Sequence, residues 1–202
     1  MSTGRMEAFS DGVIAILITV MVLELPTPHG TTWGALHDAL PVLLTYVLSF
    51  VYLGIYWSNH HHMLQATGRV NGLILWANLH LLFWLSLVPF TTAWMGENRL
   101  SATPAAAYGI VLLGAALAYY ALQQAIMRDQ GPGSLLALAV GRDWKGKASP
   151  LCYATAIGLS FVSPWLSVAI YVGLALVWLV PDRRLERIIT ARSGVAAEEP
   201  VD

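Results

Sequence analysis

Apolar residues run along this chain in long stretches, interrupted at intervals by short polar clusters. About 20 consecutive apolar residues suffice for a helix to cross a bilayer, and six stretches approach that length, at about 8–25, 36–58, 71–94, 104–127, 149–163 and 165–181. Pro26 and Pro28 stop the first, and Thr103 followed by Pro104 supplies an N-cap and first-turn signal for the fourth. The last two are short and are separated only by Val162, Ser163, Pro164 and Trp165, which calls for tilt or partial insertion. The pattern predicts an all-α integral membrane protein of six helices, one membrane domain over residues 1–192, with a small acidic tail at 193–202 expected to be disordered.

Basic residues orient these helices. With both termini cytoplasmic, the inner segments hold Arg5, Arg69, Arg128, Arg142, Lys145, Lys147, Arg183, Arg184, Arg187 and Arg192, and the outer segments hold only Arg99. That asymmetry is what the positive-inside rule requires, and adding or removing a helix in the first half would scramble it. Trp33, Trp94 and Trp165 then fall near the outer interface, Trp57 and Trp144 near the inner one. The longest polar stretch, residues 127–149, contains Gly131, Pro132 and Gly133 and a small apolar patch at 135–140 suited to the membrane surface.

Composition agrees. With 56% hydrophobic and 11% charged residues among 202, and a mean hydropathy of +0.60, the apolar surface exceeds what one small soluble core can hide. A net charge of -1 with scattered basic residues excludes a nucleic-acid partner. The lone Cys152 excludes an internal disulfide or a CxxC metal site. No cleavable signal peptide is expected, because the first apolar stretch has spanning length and begins with a polar motif.

Chemistry concentrates in the first helix. Ile16, Thr19, Val20 and Leu23 recur at i, i+3, i+4 and i+7 and form one stripe, with Phe9 one heptad below Ile16. Asp11, five residues before Ile16, lies about 140° away around the helix. A carboxylate beside an apolar span marks a functional site by default. If the stripe faces a symmetry axis, Asp11 faces the protein's own helices, anchoring the helix there. Polar residues available at the same end are Trp57, Asn59, His60, His61, His62 and Asn71, with Asn78 and His80 deeper, and each can pair with Asp11 or Ser10. Arg5 can neutralise Asp11 or pair with a neighbour. Three consecutive histidines point about 100° apart on a helix and cannot all bind one metal, so interfacial hydrogen bonding is expected and no metal. Glu24 is either an outer-mouth carboxylate or a solvated helix end. The small residues Gly109, Gly114, Ala115, Ala116 and Ala118 permit close packing of the fourth helix, and helices four to six read as scaffold.

Arg5, Phe9, Ser10 and Asp11, spaced R-x-x-x-F-S-D and followed by Ile16 and Thr19, resemble the first helix of the transmembrane protein 175 family, the lysosomal potassium channels of animals and their single-repeat bacterial relatives. The single copy of the motif implies the bacterial arrangement. The resemblance implies a homotetramer of six-helix subunits in the cell membrane, passively conducting potassium and other monovalent cations along an axis lined by four first helices. It implies a hydrophobic gate at Ile16, outer rings at Val20 and Leu23, a selectivity contribution from Thr19, and a polar network around the Phe-Ser-Asp motif. No cofactor beyond the permeant ion is implied, and a Thr-Val-Gly-Tyr-Gly filter is absent from the sequence. The alternative is a proton-coupled secondary transporter using Asp11 and the cluster of His60, His61 and His62. An uninterrupted first helix and the lack of an evident inverted repeat weigh against it. An enzyme would need a convergent ligand or nucleophile set that the sequence does not show.

Overall fold

A computed structural model describes residues 2–140 and 144–179, which are almost wholly helical. Nine helices follow in order among the described residues: α1 (Thr3–Leu23), α2 (Trp33–Asp38), α3 (Leu40–Gln65), α4 (Gly72–Ser86), α5 (Val88–Glu97), α6 (Ala102–Gln130), α7 (Leu135–Val140), α8 (Trp144–Ser160) and α9 (Pro164–Leu179). The expected tail at 193–202, the last residues of the sixth expected span, the side chain of Trp144, and Arg142, Arg183, Arg184, Arg187 and Arg192 lie outside the described residues.

Among the described residues, four segments are long and apolar enough to cross a membrane: Thr3–Leu23, Leu40–Gln65, Gly72–Glu97 and Ala102–Gln130. The protein is thus a multi-pass membrane protein. At about 1.5 Å per residue, the 17 residues of α8 and the 16 of α9 each fall somewhat short of a hydrocarbon core of about 30 Å.

Local sequence explains where the helices differ from the simple hydropathy pattern. The third apolar stretch is two helices, because Pro89 in the first turn of α5 has no N–H to continue the ladder of α4, and the chain breaks at Leu87. The second stretch continues to Gln65 and so keeps His60, His61 and His62 helical. α6 ends at Gly131, whose φ of 82° suits a residue without Cβ.

α6 is the central element. Its apolar window is 56% buried, against 28% for α1 and 22% for α3, and α4, α5, α8 and α9 pack around it. One apolar cluster joins α1, α3, α4 and α6 through Met6, Ile14, Leu53, Ile74, Leu81 and Leu122. A second is built on Tyr52, Tyr108, Tyr153 and Tyr171. Its hydroxyls are paired, as burial in a bilayer demands: Tyr52 donates to the Tyr171 carbonyl at 2.7 Å, Tyr171 donates to the Ala105 carbonyl at 3.0 Å, and Tyr108 meets Ser49 at 2.9 Å. At one end of the bundle, Arg69 and Asn71 from the α3–α4 turn both donate to Asp129 of α6, at 2.9 Å and 2.8 Å.

Close packing depends on two glycines of α6. A Cβ at Gly109 would collide with Tyr171 and Ile157, and one at Gly114 would enter the indole of Trp84. Substitution Gly114→Ala is therefore expected to destabilise the protein by about 1–3 kcal/mol through overpacking, outweighing the roughly 1 kcal/mol gain in helix propensity. Gly158→Ala, where no atom lies within 4 Å of the added Cβ, should be neutral or slightly stabilising. Thermal melting in detergent compares the two directly, and equal melting points would contradict the packing role of Gly114.

Candidate functional site

Helix α1 is apolar nearly all round, yet its two sides meet different surroundings. Met6, Ser10, Ile14 and Met21 are buried, and Val13, Leu17 and Ile18 pack partly against the core. Arg5, Phe9, Gly12, Ile16, Thr19, Val20 and Leu23 form a continuous exposed stripe on another side. The contrast is sharp for two isoleucines one half-turn apart: Ile14 is 1% exposed and Ile16 is 61% exposed. Thr19 lies on the stripe, and its hydroxyl donates to the Ile16 carbonyl at 2.9 Å. That bond uses the only hydroxyl hydrogen and leaves oxygen lone pairs free to face outward.

A buried hydrogen-bond chain fixes the opposite side. Ser10 donates to the Met6 carbonyl at 2.8 Å, so its oxygen is free to accept from Asn78 Nδ2 at 3.0 Å. The amide oxygen of Asn78 then faces His60 Nε2 at 2.7 Å. Since Asn78 Oδ1 can only accept, Nε2 of His60 carries the proton, and the pairing assigns the tautomer. Ser10, Asn78 and His60 are each fully buried. Nδ1 of His60 has no hydrogen-bond partner among the described residues. The chain links α1, α4 and α3 in one directional sequence, with no donor left over at Ser10.

A second polar group lies beside it at the helix margin. Asp11 Oδ1 accepts from the Trp57 indole at 3.1 Å. His61 Nδ1 approaches Glu7 Oε1 at 2.8 Å, and its ring stacks against Trp57 with centroids 6.0 Å apart. Of the polar residues singled out in the sequence, Ser10, Asp11, Trp57, His60, His61 and Asn78 thus converge on one stretch of α1. Others do not. Asn71 caps α4 by accepting from Ile74 N at 2.9 Å and donates to Asp129. His80 accepts from Trp84 Nε1 at 3.0 Å on an exposed face, and Asn59 donates to the Ile55 carbonyl of its own helix. Arg5 lies on the exposed side with Phe9 and forms no ion pair among the described residues. Glu7 and Gln65 belong to the group but escaped sequence reasoning. Each is four residues from a member, Glu7 from Asp11 and Gln65 from His61, so helical spacing alone was the available signal.

The buried chain makes a measurable demand on stability. Asn78→Leu would strand the His60 N–H and remove the donor to Ser10, at about 1–3 kcal/mol per unpaired group. His80→Leu, by contrast, removes a bond at an exposed position and should change stability by no more than about 0.5 kcal/mol. A melting point for Asn78→Leu equal to that for His80→Leu would contradict the anchoring role.

Comparison with known proteins places the chain in a family. A family model described as the endosomal/lysosomal potassium channel TMEM175 matches residues 5–89, a segment holding every member of both polar groups. The chain is 49% identical over 187 residues to a potassium channel of Chryseobacterium sp. (strain P1-3), covering 93% of this chain and 97% of that one. It is 36% identical over 185 residues to a potassium channel of Streptomyces collinus, covering 86% and 90%. Its fold matches the crystal structure of a lysosomal potassium-selective channel TMEM175 homolog from Chamaesiphon minutus with a TM-score of 0.77 at 31% identity, covering 89% of this chain and 97% of that one. This chain is therefore a member of the TMEM175 family.

Proposed function

We propose that the protein is a potassium-permeable cation channel that conducts passively along the axis of a homotetramer, with α1 of each subunit lining the pore. The single observation that carries this reading is the exposed apolar stripe of α1, from Phe9 through Ile16 to Leu23, on a helix whose other side is pinned by hydrogen bonds. One helix cannot enclose a pore, whereas symmetric copies of such a stripe can. The potassium channels of Chryseobacterium and Streptomyces, alike over nearly their full lengths, favour the same function here.

In this arrangement the subunit spans the cell membrane six times, α4 with α5 as one span and α8 and α9 tilted as the last two. Both termini are cytoplasmic, in keeping with the distribution of basic residues. Four Ile16 side chains make the narrowest ring, and a narrow apolar ring stays dry, so modest widening converts a closed gate to an open one. Val20 and Leu23 add further rings toward the outside. The Thr19 oxygens, with their hydrogens turned back to the Ile16 carbonyls, offer lone pairs that replace part of a cation's hydration shell. The polar group around Asp11 is a structural anchor outside the conduction path. A proton-coupled carrier is less favoured, because α1 runs unbroken from Thr3 to Leu23 and carrier sites are typically built on interrupted helices.

Purified protein in liposomes tests this. Ile16→Asn should hydrate the constriction and raise resting cation flux at least several-fold, and unchanged flux in a well-assembled variant would remove Ile16 from the pore. Thr19→Val should lower the preference for potassium over sodium without loss of assembly. A bi-ionic reversal potential identical to the parent's would refute the role of Thr19. Flux that requires a coupling-ion gradient in the parent protein would overturn the channel reading itself.

A further inference from the structure

Glu7 and Asp11 leave the same side of α1, one turn apart, and His61 meets them from α3. One ligand atom from each of the three lies within 4.8 Å of the others. Like charges at this spacing on a helix disfavour one another by a few tenths of a kcal/mol. Among the described residues the groups set against them are the Trp57 N–H on Asp11 Oδ1 and the His61 ring itself. Arg5 belongs to the exposed stripe. The Glu7 and His61 side chains are 24% and 33% exposed, while the Nδ1 atom of His61 is itself buried and accepts or donates no hydrogen bond among the described residues.

The His61 ring is fixed by two neighbours, Gln65 and Trp57. Gln65 Nε2 lies 2.8 Å from His61 Nε2, while Trp57 stacks on the ring with an interplanar angle of 23°, so Nδ1 is turned to the carboxylates. An amide's oxygen and nitrogen can exchange places within the same shape. With Gln65 Oε1 accepting from Nε2–H, Nδ1 becomes a bare lone pair. A partner that fixes the far nitrogen while the near one ligates is the usual outer shell of a metal-bound histidine. Asp11 is set in the same way, one oxygen held by the indole and the other free. His60 is fully buried and is not one of the three residues whose ligand atoms lie within 4.8 Å of one another.

We propose that Glu7, Asp11 and His61 form a binding site for a divalent transition-metal ion of the zinc class, which ties the N-terminal turns of α1 to the end of α3. One imidazole nitrogen and two carboxylate oxygens suit zinc better than magnesium or calcium, and a fourth position is left to water. Closing the shell draws the ligand atoms from 4.8 Å toward the roughly 3.3 Å of tetrahedral zinc, a movement within reach of side-chain rotation. The site does not depend on α1 lining a pore.

Untagged protein in detergent, freed of metal by chelation, is titrated with zinc chloride by calorimetry. One ion per chain is expected, and Glu7→Gln and His61→Gln should each weaken its binding at least tenfold, with tenfold excess magnesium failing to compete. Absence of binding at 100-fold excess of zinc over protein chains, or unchanged binding in both variants, would overturn the proposal, the second outcome placing the ion at other histidines. Should the variants fail to fold, the unsubstituted chain still decides. Cobalt(II) in this site should give an intense visible absorption of a four-coordinate ion that zinc abolishes, and only the weak spectrum of the hydrated ion would count against the site.

Discussion

The rotation of α1 about its own axis depends on one buried chain of hydrogen bonds, from His60 through Asn78 to Ser10. In water a helix turns its apolar side inward because the other side is polar. α1 offers no such difference, and lipid tails solvate Ile16 as well as the core solvates Ile14. What distinguishes the two sides is that an unpaired serine, asparagine or imidazole is costly in hydrocarbon. Once Ser10 must meet Asn78, Met6, Ile14 and Met21 follow it into the interior, and Phe9, Ile16, Thr19 and Leu23 are left outside.

The remaining structure serves to hold the partners of that chain in place. α3 and α4 supply His60 and Asn78, and both are braced by α6, whose glycines let Trp84 and Tyr171 approach closely. The tyrosine cluster and its hydroxyl bonds join α3, α6, α8 and α9 on the far side. At the exposed margin of α1, Trp57 reaches Asp11 and stacks on His61, so a single indole orients one carboxylate and one imidazole.

Much of this was legible in the sequence because helical geometry is simple. The angle between Asp11 and Ile16 separated the side of α1 that meets Trp57 from the exposed stripe, and chain topology alone brought Trp57, His60, His61 and Asn78 to the same stretch of α1. The choice among partners was not legible. Asn71 and His80 looked as eligible as Asn78, and only the packing of α4 turns Asn78 inward while leaving His80 exposed. Asn71 is diverted by a competing local use, the N-cap of α4. The direct partner of the buried chain proved to be Ser10 and not Asp11, since neighbours in sequence point about 100° apart and the deeper side took the inward place. Glu7 was overlooked because an acidic residue near a chain terminus is ordinarily solvated, and its convergence with His61 arises from α3 extending past the apolar stretch to Gln65.

The rotational setting of α1 can be read by disulfide cross-linking in lipid vesicles. Single cysteines at position 14 or 16, in a chain with Cys152→Ser, are oxidised with copper phenanthroline and resolved without reductant. Ile16→Cys should form inter-subunit dimers in high yield while Ile14→Cys forms none. Efficient cross-linking through position 14, with position 16 inert, would contradict both the anchor and the axial placement of the stripe.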